Sequence, residues 1–148
     1  MTHTYTATIR WTCTGDFAKG HYSRAHEWAF DGGTVVPASS SPLSVPLPFS
    51  DEAAVDPEEA FVASVSSCHM LWFLDLARRA GFVLTSYEDT PVARMEGDPS
   101  PWITSVNLFP KTEWAENAPS PDALANLHKE AHKKCFIANS IKSEVVVN

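Results

Sequence analysis

The sequence contains no run of Lys or Arg: it has 11 of these residues against 18 Asp and Glu, and its formal net charge is -7. A protein that binds a phosphate backbone needs a basic patch, so a nucleic-acid partner is not expected. Nowhere do about 18 apolar residues follow one another, and the polar residues 1–5 are not a basic segment leading into an apolar one. We therefore expect neither secretion nor a membrane span, and we expect a cytoplasmic protein.

Cysteine is scarce, with only Cys13, Cys68 and Cys135 in the chain. An odd number argues against a fixed disulfide framework, and thiols persist in a reducing compartment unless they serve a redox or metal function. Cys13 has no partner motif and is expected to be structural.

The chain has no internal repeat, and its 148 residues suit one domain with one core, which we expect to span residues 1–148. A Gly-x-Ser-x-Gly motif is also missing, so a serine hydrolase of the α/β type is not indicated.

Alternating apolar and polar residues at 5–11 and 22–30 have the period of half-buried strands. The second segment is followed by a turn sequence at residues 31–33 (DGG), which tolerates positive φ and leads into a third strand at 34–36. The chain is therefore predicted to begin as an antiparallel meander.

A long helix is predicted after the Pro- and Ser-rich residues 37–55. Asp56 suits the N-cap, Pro57 suits the first helical position, and the helix should continue to about Ala80, where Gly81 ends it. Apolar side chains cover nearly every direction of this helix, which is typical of a central, buried helix.

Two more strands, residues 82–95 and 102–109, are predicted to form a second hairpin. Another helix opens at residues 120–122, breaks or bends near Cys135, and is followed by a last strand at 144–147. The predicted order is βββ-α-ββ-αα-β, and antiparallel strands grouped between helices indicate an α+β fold.

The residues that could carry chemistry are Cys68 and Cys135, each on a predicted helix, and Arg24. Buried cysteines often serve only as small hydrophobic residues, so either one could be inert. Arg24 shares a strand face with Tyr22 and Trp28, where an inward charge would need an acidic partner. If that face is solvent-exposed, Arg24 is an ordinary surface cation.

Residues 56–61 (DPEEAF) and 66–70 (SSCHM) resemble the central helix of the OsmC/Ohr family of organic hydroperoxide reductases, with its Asn-Pro-Glu start and embedded cysteine. Residues 131–140 (AHKKCFIANS) resemble the family's second cysteine motif, and the similarity extends to residues 22–24 (YSR) and the opening strand. The resemblance implies an OsmC-like fold, with antiparallel sheets wrapped around two central helices, in an intertwined homodimer with sites at the interface.

The resemblance also implies that Cys68 is the peroxidatic thiol, Cys135 the resolving thiol, Glu58 the catalytic carboxylate and Arg24 the cation. Cys68 would reduce an alkyl or lipid hydroperoxide, become a sulfenic acid, and condense with Cys135 to a disulfide that an external dithiol of lipoyl type opens. Arg24 would stabilise the thiolate and the leaving oxygen, and Glu58 would hold the guanidinium in a bidentate pair. No cofactor and no metal are expected.

Glu58 and Cys68 are ten positions apart, a rise of about 15 Å on a continuous helix. One arginine does not easily reach both, so either the helix is irregular near its start or a second chain supplies part of the site. A disulfide requires the two Cα atoms to lie within about 7 Å, so the helix that leads to Cys135 must pack directly beside the first.

An alkyl or lipid hydroperoxide needs an apolar pocket, which hydrogen peroxide would not need. Met70, Trp72 and Phe73, together with the aromatic face of the early strands, are candidates to line it. Such residues are more often ordinary core, so core packing is the competing interpretation.

Two other functions compete with a reductase. His128, His132 and Cys135 have the i, i+4, i+7 spacing that puts three zinc ligands on one helical face, which favours a metal-binding protein. A family-like protein that binds a hydrophobic ligand without peroxidase activity is the other hypothesis. His69 projects about 100° away from Cys68 on a helix, so it is a poor candidate for an activating base.

Overall fold

A computed structural model describes all 148 residues, which divide into two compact units, Met1–Ala60 and Phe61–Asn148. The single domain expected over residues 1–148 stays a prediction. The strands of the first unit are β1 (Ala7–Arg10), β2 (Gly15–Asp16), β3 (His21–Tyr22), β4 (His26–Phe30) and β5 (Val35–Ala38). An antiparallel sheet has the order β1-β4-β5, and β2 and β3 form a two-stranded ribbon.

The predicted strand over residues 22–30 is interrupted in the structure. Arg24 lies between β3 and β4, outside both strands, and its backbone N–H donates to the carbonyl of Phe49 at 2.9 Å. The strand resumes at His26 and ends in the predicted turn, where Gly33 has a φ of 93° and donates to the carbonyl of Phe30 at 3.0 Å. A strand period alone did not reveal this break, because the alternation of side chains continues across it.

Helix α1 (Pro57–Arg79) has the predicted start and end. The carboxylate of Asp56 accepts from Glu59 N at 2.8 Å, and the carboxylate of Glu59 accepts from Asp56 N at 2.8 Å, which is a reciprocal capping box. Gly81 has a φ of 86°, a left-handed conformation that L side chains adopt only with strain, so the helix ends before it. The helix is continuous between these ends, so the irregular start considered for it is not present.

One stripe of α1 is buried, formed by Val65, His69, Phe73 and Ala77 at intervals of four residues. Leu71 is 59% exposed in this chain, so the prediction of a helix buried on nearly every side is wrong for a single chain. By length and composition α1 also resembles a membrane-spanning helix, a property that central helices of globular proteins share.

The second unit contains the rest of α1, five strands and a second helix. Its elements are β6 (Val83–Glu88), β7 (Val92–Glu96), β8 (Trp102–Leu108), β9 (Lys111–Glu116), α2 (Pro121–Lys134), a 3₁₀ turn (Ala138–Ser140) and β10 (Glu144–Val147). The predicted second hairpin corresponds to β7 and β8, while β6 pairs with β9, a strand that the sequence analysis missed. The last strand, β10, joins β8 in parallel, so the sheet order is β10-β8-β7.

Two groups of buried side chains form the core of this unit. Phe73 and Ala77 of α1 meet Leu127 and Ala131 of α2 in the first group. Val65 packs with Val106 and Leu108 of β8 in the second. Two helices against mostly antiparallel sheets confirm the predicted α+β class, and the packing of α1 on α2 determines where their cysteines lie.

Candidate functional site

Cys68 and Cys135 come together as free thiols within the unit Phe61–Asn148. Cys68 is half-buried on α1, whereas Cys135 is 1% exposed at the end of α2. The Cys68 thiol lies close enough to hydrogen-bond the Cys135 thiol. The two thiols are therefore neighbours, as a disulfide between them would require.

Cys135 is the residue at which α2 ends, as its predicted break required. Its backbone N–H donates to the carbonyl of Ala131 at 2.9 Å, and its own φ and ψ of -63° and 112° are extended rather than helical. The chain then turns back, so that Ala138 N donates to Cys135 Sγ at 3.3 Å and Asn139 N donates to the Cys135 carbonyl at 3.0 Å. The Cys135 sulfur is therefore held by two groups: the backbone N–H of Ala138 in the turn and the Cys68 thiol on α1.

The Cys135 thiol is held in its protonated form. Burial raises its pKa first, and the hydrogen bond with Cys68 raises it further, while the N–H of Ala138 opposes both by stabilising the thiolate. At neutral pH Cys135 therefore carries a proton that it can donate.

Arg24 and Glu58 both lie in the unit Met1–Ala60, and the bidentate pair expected between them is not formed. The Arg24 guanidinium donates to the carbonyls of Gly20 at 3.1 Å and Tyr22 at 2.6 Å, and it lies 3.6 Å from the centre of the Tyr22 ring. The Glu58 Oε2 atom is buried without a hydrogen-bond partner. The guanidinium N–H groups of Arg24, which were expected to donate to Glu58, donate to backbone carbonyls instead.

A cavity of about 400 Å³ in the first unit is walled by the aromatic face of the early strands. Trp11, Phe17 and Tyr22 pack edge to face or tilted on one another, with ring centroids 4.9 to 5.9 Å apart. Arg24 lines the same cavity, and so does Pro57 at the start of α1. The cavity is therefore mostly apolar, with one guanidinium group at its wall. Its aromatic wall is the face of the early strands that the sequence analysis proposed as a pocket lining.

The three other residues predicted for a substrate pocket have different positions. Phe73 is 0% exposed and lies in the core, against Tyr87 and Trp114. Trp72 is half-buried and packs edge to face on Phe136, and Met70 is half-buried. Phe73 thus has the core role that competed with the pocket, while a pocket at Met70 and Trp72 stays a prediction.

The metal site considered for His128, His132 and Cys135 is not formed, since the chain contains no group of three or more His, Cys, Asp or Glu side chains with a suitable arrangement. The reason lies in their partners. His128 Nδ1 is hydrogen-bonded to His69, and the Cys135 sulfur is occupied by the Cys68 thiol and the N–H of Ala138.

The model of the family described as OsmC-like protein matches residues 50–148. The chain belongs to the OsmC-like family. An OsmC-like protein of unknown function from Vibrio cholerae is 41% identical, with a TM-score of 0.95 and 99% of each chain covered. The resemblance found in the sequence and the OsmC-like fold are thereby confirmed.

Other members of the fold include two proteins described by their role in peroxide resistance. One is an organic hydroperoxide resistance protein from Elizabethkingia anophelis with thiocyanate bound, 17% identical, with a TM-score of 0.69 over 99% of this chain and 95% of that one. The other is a putative organic hydroperoxide resistance protein from Vibrio cholerae with captopril in one of its active sites, 17% identical, with a TM-score of 0.70 over 99% and 91%. At this identity the likeness concerns the fold alone. No curated protein matches the chain.

A buried histidine pair in this OsmC-like chain was missed in the sequence. His69 is 1% exposed, and its Nε2 lies 3.0 Å from Nδ1 of His128, with the two rings nearly parallel. Burial, and then repulsion from His128 and His132, lower the pKa of His69 to about 4, although Asp89 opposes the shift. The burial of His69 could have been predicted from its spacing, because it lies four residues after Val65 and four before Phe73 on one face of α1.

We expect the stability of the protein to fall as the pH decreases from about 6.5 toward 4. The unfolded state binds a proton at His69 below its ordinary pKa of 6.5, and the folded state does so only near 4, so acid favours unfolding in this window. The loss between pH 7 and pH 5 is on the order of 2 kcal/mol. Urea unfolding at a series of pH values measures it.

The matched variants are His69→Gln, which cannot titrate, and His3→Gln at an exposed N-terminal position. The first should remove most of the slope between pH 6.5 and 4, and the second should keep it. An unchanged slope in His69→Gln would mean that other groups cause the acid sensitivity.

Proposed function

We propose that this OsmC-like chain is a thiol-dependent peroxidase that reduces organic hydroperoxides to alcohols. The observation that carries the proposal is the contact between two free thiols, Cys68 on α1 and Cys135 at the end of α2. Structural cysteines need no such neighbour, whereas a peroxidase that forms an intramolecular disulfide does.

Cys68 is proposed as the thiol that attacks the peroxide, because it is the more exposed of the pair. Its thiolate would attack one peroxide oxygen and break the O–O bond. That oxygen would stay on sulfur as a sulfenic acid, and the other would leave, take up a proton and become the alcohol. Sulfur is oxidised in this step and the peroxide is reduced.

Cys135 is proposed as the resolving thiol, since it is buried and protonated. Its sulfur would attack the sulfenic sulfur of Cys68, and the hydroxyl group would leave with the Cys135 proton as water. The product is a Cys68–Cys135 disulfide. A lipoyl-type or similar dithiol would reduce that disulfide by exchange and restore both thiols, and we propose a cytoplasmic location, where such reductants keep thiols reduced.

Arg24 and Glu58 are proposed as the cation and the carboxylate of the reaction. The guanidinium is engaged only by neutral carbonyls and a ring face, so no acid neutralises its charge. Glu58 follows Pro57, which lines the same cavity as Arg24, and its Oε2 atom has no partner. Arg24 would leave its carbonyl acceptors to pair with Glu58. Because α1 is continuous and places Glu58 about 15 Å along the helix from Cys68, the guanidinium would stabilise negative charge on a peroxide bound at Cys68 of the partner subunit in the proposed homodimer.

The apolar cavity supports an organic substrate. Its wall of Trp11, Phe17 and Tyr22 can bury an alkyl or aryl chain, and the Arg24 guanidinium can donate hydrogen bonds to the peroxide group. Hydrogen peroxide has no apolar part and would gain nothing from these rings.

The same cavity is the observation that favours a second candidate, a hydrophobic-ligand-binding protein without peroxidase activity. Such a protein would use the cavity but neither sulfur. The juxtaposed thiols favour the peroxidase, and the cysteine variants below distinguish the two functions.

A second copy of the chain is proposed as a partner, in a homodimer. Large apolar side chains remain open to solvent on the helical unit: Leu71 is 59% exposed, Leu74 is 36% exposed and Phe136 is 67% exposed. An apolar patch of this kind on a soluble protein commonly marks an interface. A second copy would cover the side of α1 that its own chain leaves open.

We expect Cys68→Ser to reduce turnover of an organic hydroperoxide by roughly a thousandfold or more, because the nucleophile is lost. Cys135→Ser should consume one equivalent of peroxide per chain to form the Cys68 sulfenic acid and, in excess peroxide, a second equivalent to form the sulfinic acid, after which consumption stops. Stopped-flow peroxide consumption with a dithiol reductant, followed by mass spectrometry, measures both. Cys13→Ser is the control and should retain full activity, since Cys13 is exposed. Full turnover by Cys68→Ser would disprove the proposed function.

Two substitutions should separate substrate binding from chemistry. Phe17→Ala removes one wall of the cavity and should lower kcat/KM for an aryl hydroperoxide by about 10-fold while leaving hydrogen peroxide unaffected. Arg24→Gln should lower kcat/KM for both peroxides by about 100-fold, because the guanidinium would act on the O–O group that they share. Tyr5→Ala, an exposed aromatic residue outside the cavity, is the control. Equal effects of Phe17→Ala on both peroxides would argue against the cavity as the substrate site.

Sedimentation velocity should show the mass of two chains for the unmodified protein. The double variant Leu71→Asp, Leu74→Asp should sediment as one chain, because buried carboxylates at an interface are costly. Leu43→Asp, at a side chain that is 99% exposed, should stay a dimer. A single-chain mass for the unmodified protein would contradict the homodimer.

A further inference from the structure

The helices that carry the two cysteines are joined by an imidazole pair. His69 Nε2 of α1 and His128 Nδ1 of α2 are 3.0 Å apart, and the ring centroids are 5.3 Å apart at an angle of 7°. His128 also stacks on Phe73, with centroids 4.3 Å apart. Because the surrounding contacts between the two helices are made by apolar side chains, this polar contact favours one register of α2 on α1.

The hydrogen bond requires at least one neutral ring, which supplies the acceptor nitrogen. One nitrogen donates its proton and the other accepts it, and a doubly protonated imidazole has no acceptor left. Burial lowers the pKa of both histidines, so this condition is met at neutral pH. The pair therefore acts as a directed contact and carries no charge.

The histidine pair and the two thiols lie on the same two segments of the chain. His69 follows Cys68 directly on α1, and His128 precedes Cys135 by seven residues, or about two turns, so that both project from the same side of α2. Ala131 lies between them on that side and is 0% exposed, which permits a close approach of the two helices. A shift of α2 at His128 would be transmitted along the rigid helix to Cys135.

We propose that the His69–His128 hydrogen bond is a positioning element for disulfide formation, which holds the end of α2 so that Cys135 meets Cys68. The inference rests on the proposed peroxidase function and adds two residues that act through the thiols, without contact with the substrate. It assigns them to the second chemical step, the attack of Cys135 on the Cys68 sulfenic acid, and not to the first.

The charged and titratable groups around the pair influence the pH at which the two rings take up a second proton. His132 of α2 lies near His69 and repels its protonated form, while Asp89, after β6, attracts a proton to both rings. Asp89 is itself fixed, because it accepts from Ser66 Oγ of α1 and from Phe109 N at 2.7 Å. When both rings have taken a second proton no acceptor nitrogen remains, the hydrogen bond is lost, and the positioning should fail there.

A single-turnover experiment on the full chain separates the two steps. The reduced protein is mixed with one equivalent of an organic hydroperoxide and quenched at intervals, and mass spectrometry measures the trapped sulfenic acid and the Cys68–Cys135 disulfide. His128→Leu should form sulfenic acid within about 2-fold of the wild-type rate and form the disulfide about 10- to 100-fold more slowly, the usual effect of displacing a reacting group by about an ångström.

The conservative variant His128→Asn tests whether the histidine pair positions Cys135 or only stabilises the fold. His128→Asn keeps a polar side-chain atom near the position of Nδ1 and cannot titrate, so it should restore disulfide formation to within about 3-fold of wild type. It should also remove the acid limb that the wild type should show in the disulfide-forming step as the pH approaches 4, where His69 takes up its second proton. Leu124→Ala, which thins the same core on α2 without touching the pair, is the control for lost stability and should resolve at the wild-type rate.

Three outcomes overturn the inference. The first is a wild-type rate of disulfide formation in His128→Leu, and the second is an equal slowing of both steps in that variant. The third, which applies even if His128→Leu does not fold, is an identical acid limb in wild type and His128→Asn. In all three the wild type still forms the disulfide, so the proposed function stands; a wild type that forms none would disprove the proposed function itself.

Discussion

Two sulfur atoms on different helices can bond only where their Cα atoms lie within about 7 Å of each other. Helix axes usually lie about 8–10 Å apart and Cα atoms lie about 2.3 Å from the axis, so only positions that face the other helix meet this condition. In this protein α2 ends at Cys135, and the chain turns there. Ala131, one turn earlier, adds little bulk between the helices. The close approach of the thiols depends on this combination of a helix end and a small side chain.

The surroundings of the dithiol favour neutral groups. His69 and His128 share one hydrogen bond as uncharged rings, and Cys135 is kept as a thiol by burial and by the contact with Cys68. Charge in such an interior would be costly unless paired. Of the two sulfur atoms, that of Cys68 is the more exposed and can carry a negative charge at the lower cost.

Local signals in the sequence predicted the elements that depend on local chemistry. Asp56 caps α1 and Gly81 ends it because a capping carboxylate and a left-handed backbone are properties of single residues. The break at Cys135 and the last strand were also recovered. The pairing of β6 with β9, and the parallel pairing of β10 with β8, depend on contacts between distant segments, and no period within either segment encodes them.

In the candidate site, too, the features that depend on local sequence were predicted and those that depend on distant contacts were not. Both cysteines were found because a motif surrounds each of them, and the helix packing that joins them followed from the geometry of a disulfide. The partners of Arg24 were not predictable, since the carbonyls of Gly20 and Tyr22 compete with a carboxylate only once the loop has its shape. His69 was set aside for its direction relative to Cys68, although its place on the buried stripe of α1 was visible in the spacing.

The aromatic wall of the cavity lies on the short strands and turn of residues 9–22, while both sulfur atoms lie on helices of the other unit. Side chains such as Phe17 can therefore be exchanged during evolution without altering the backbone that carries the dithiol. In the proposed peroxidase, the side chains that would select the organic group are therefore carried by other elements than the dithiol that would reduce it.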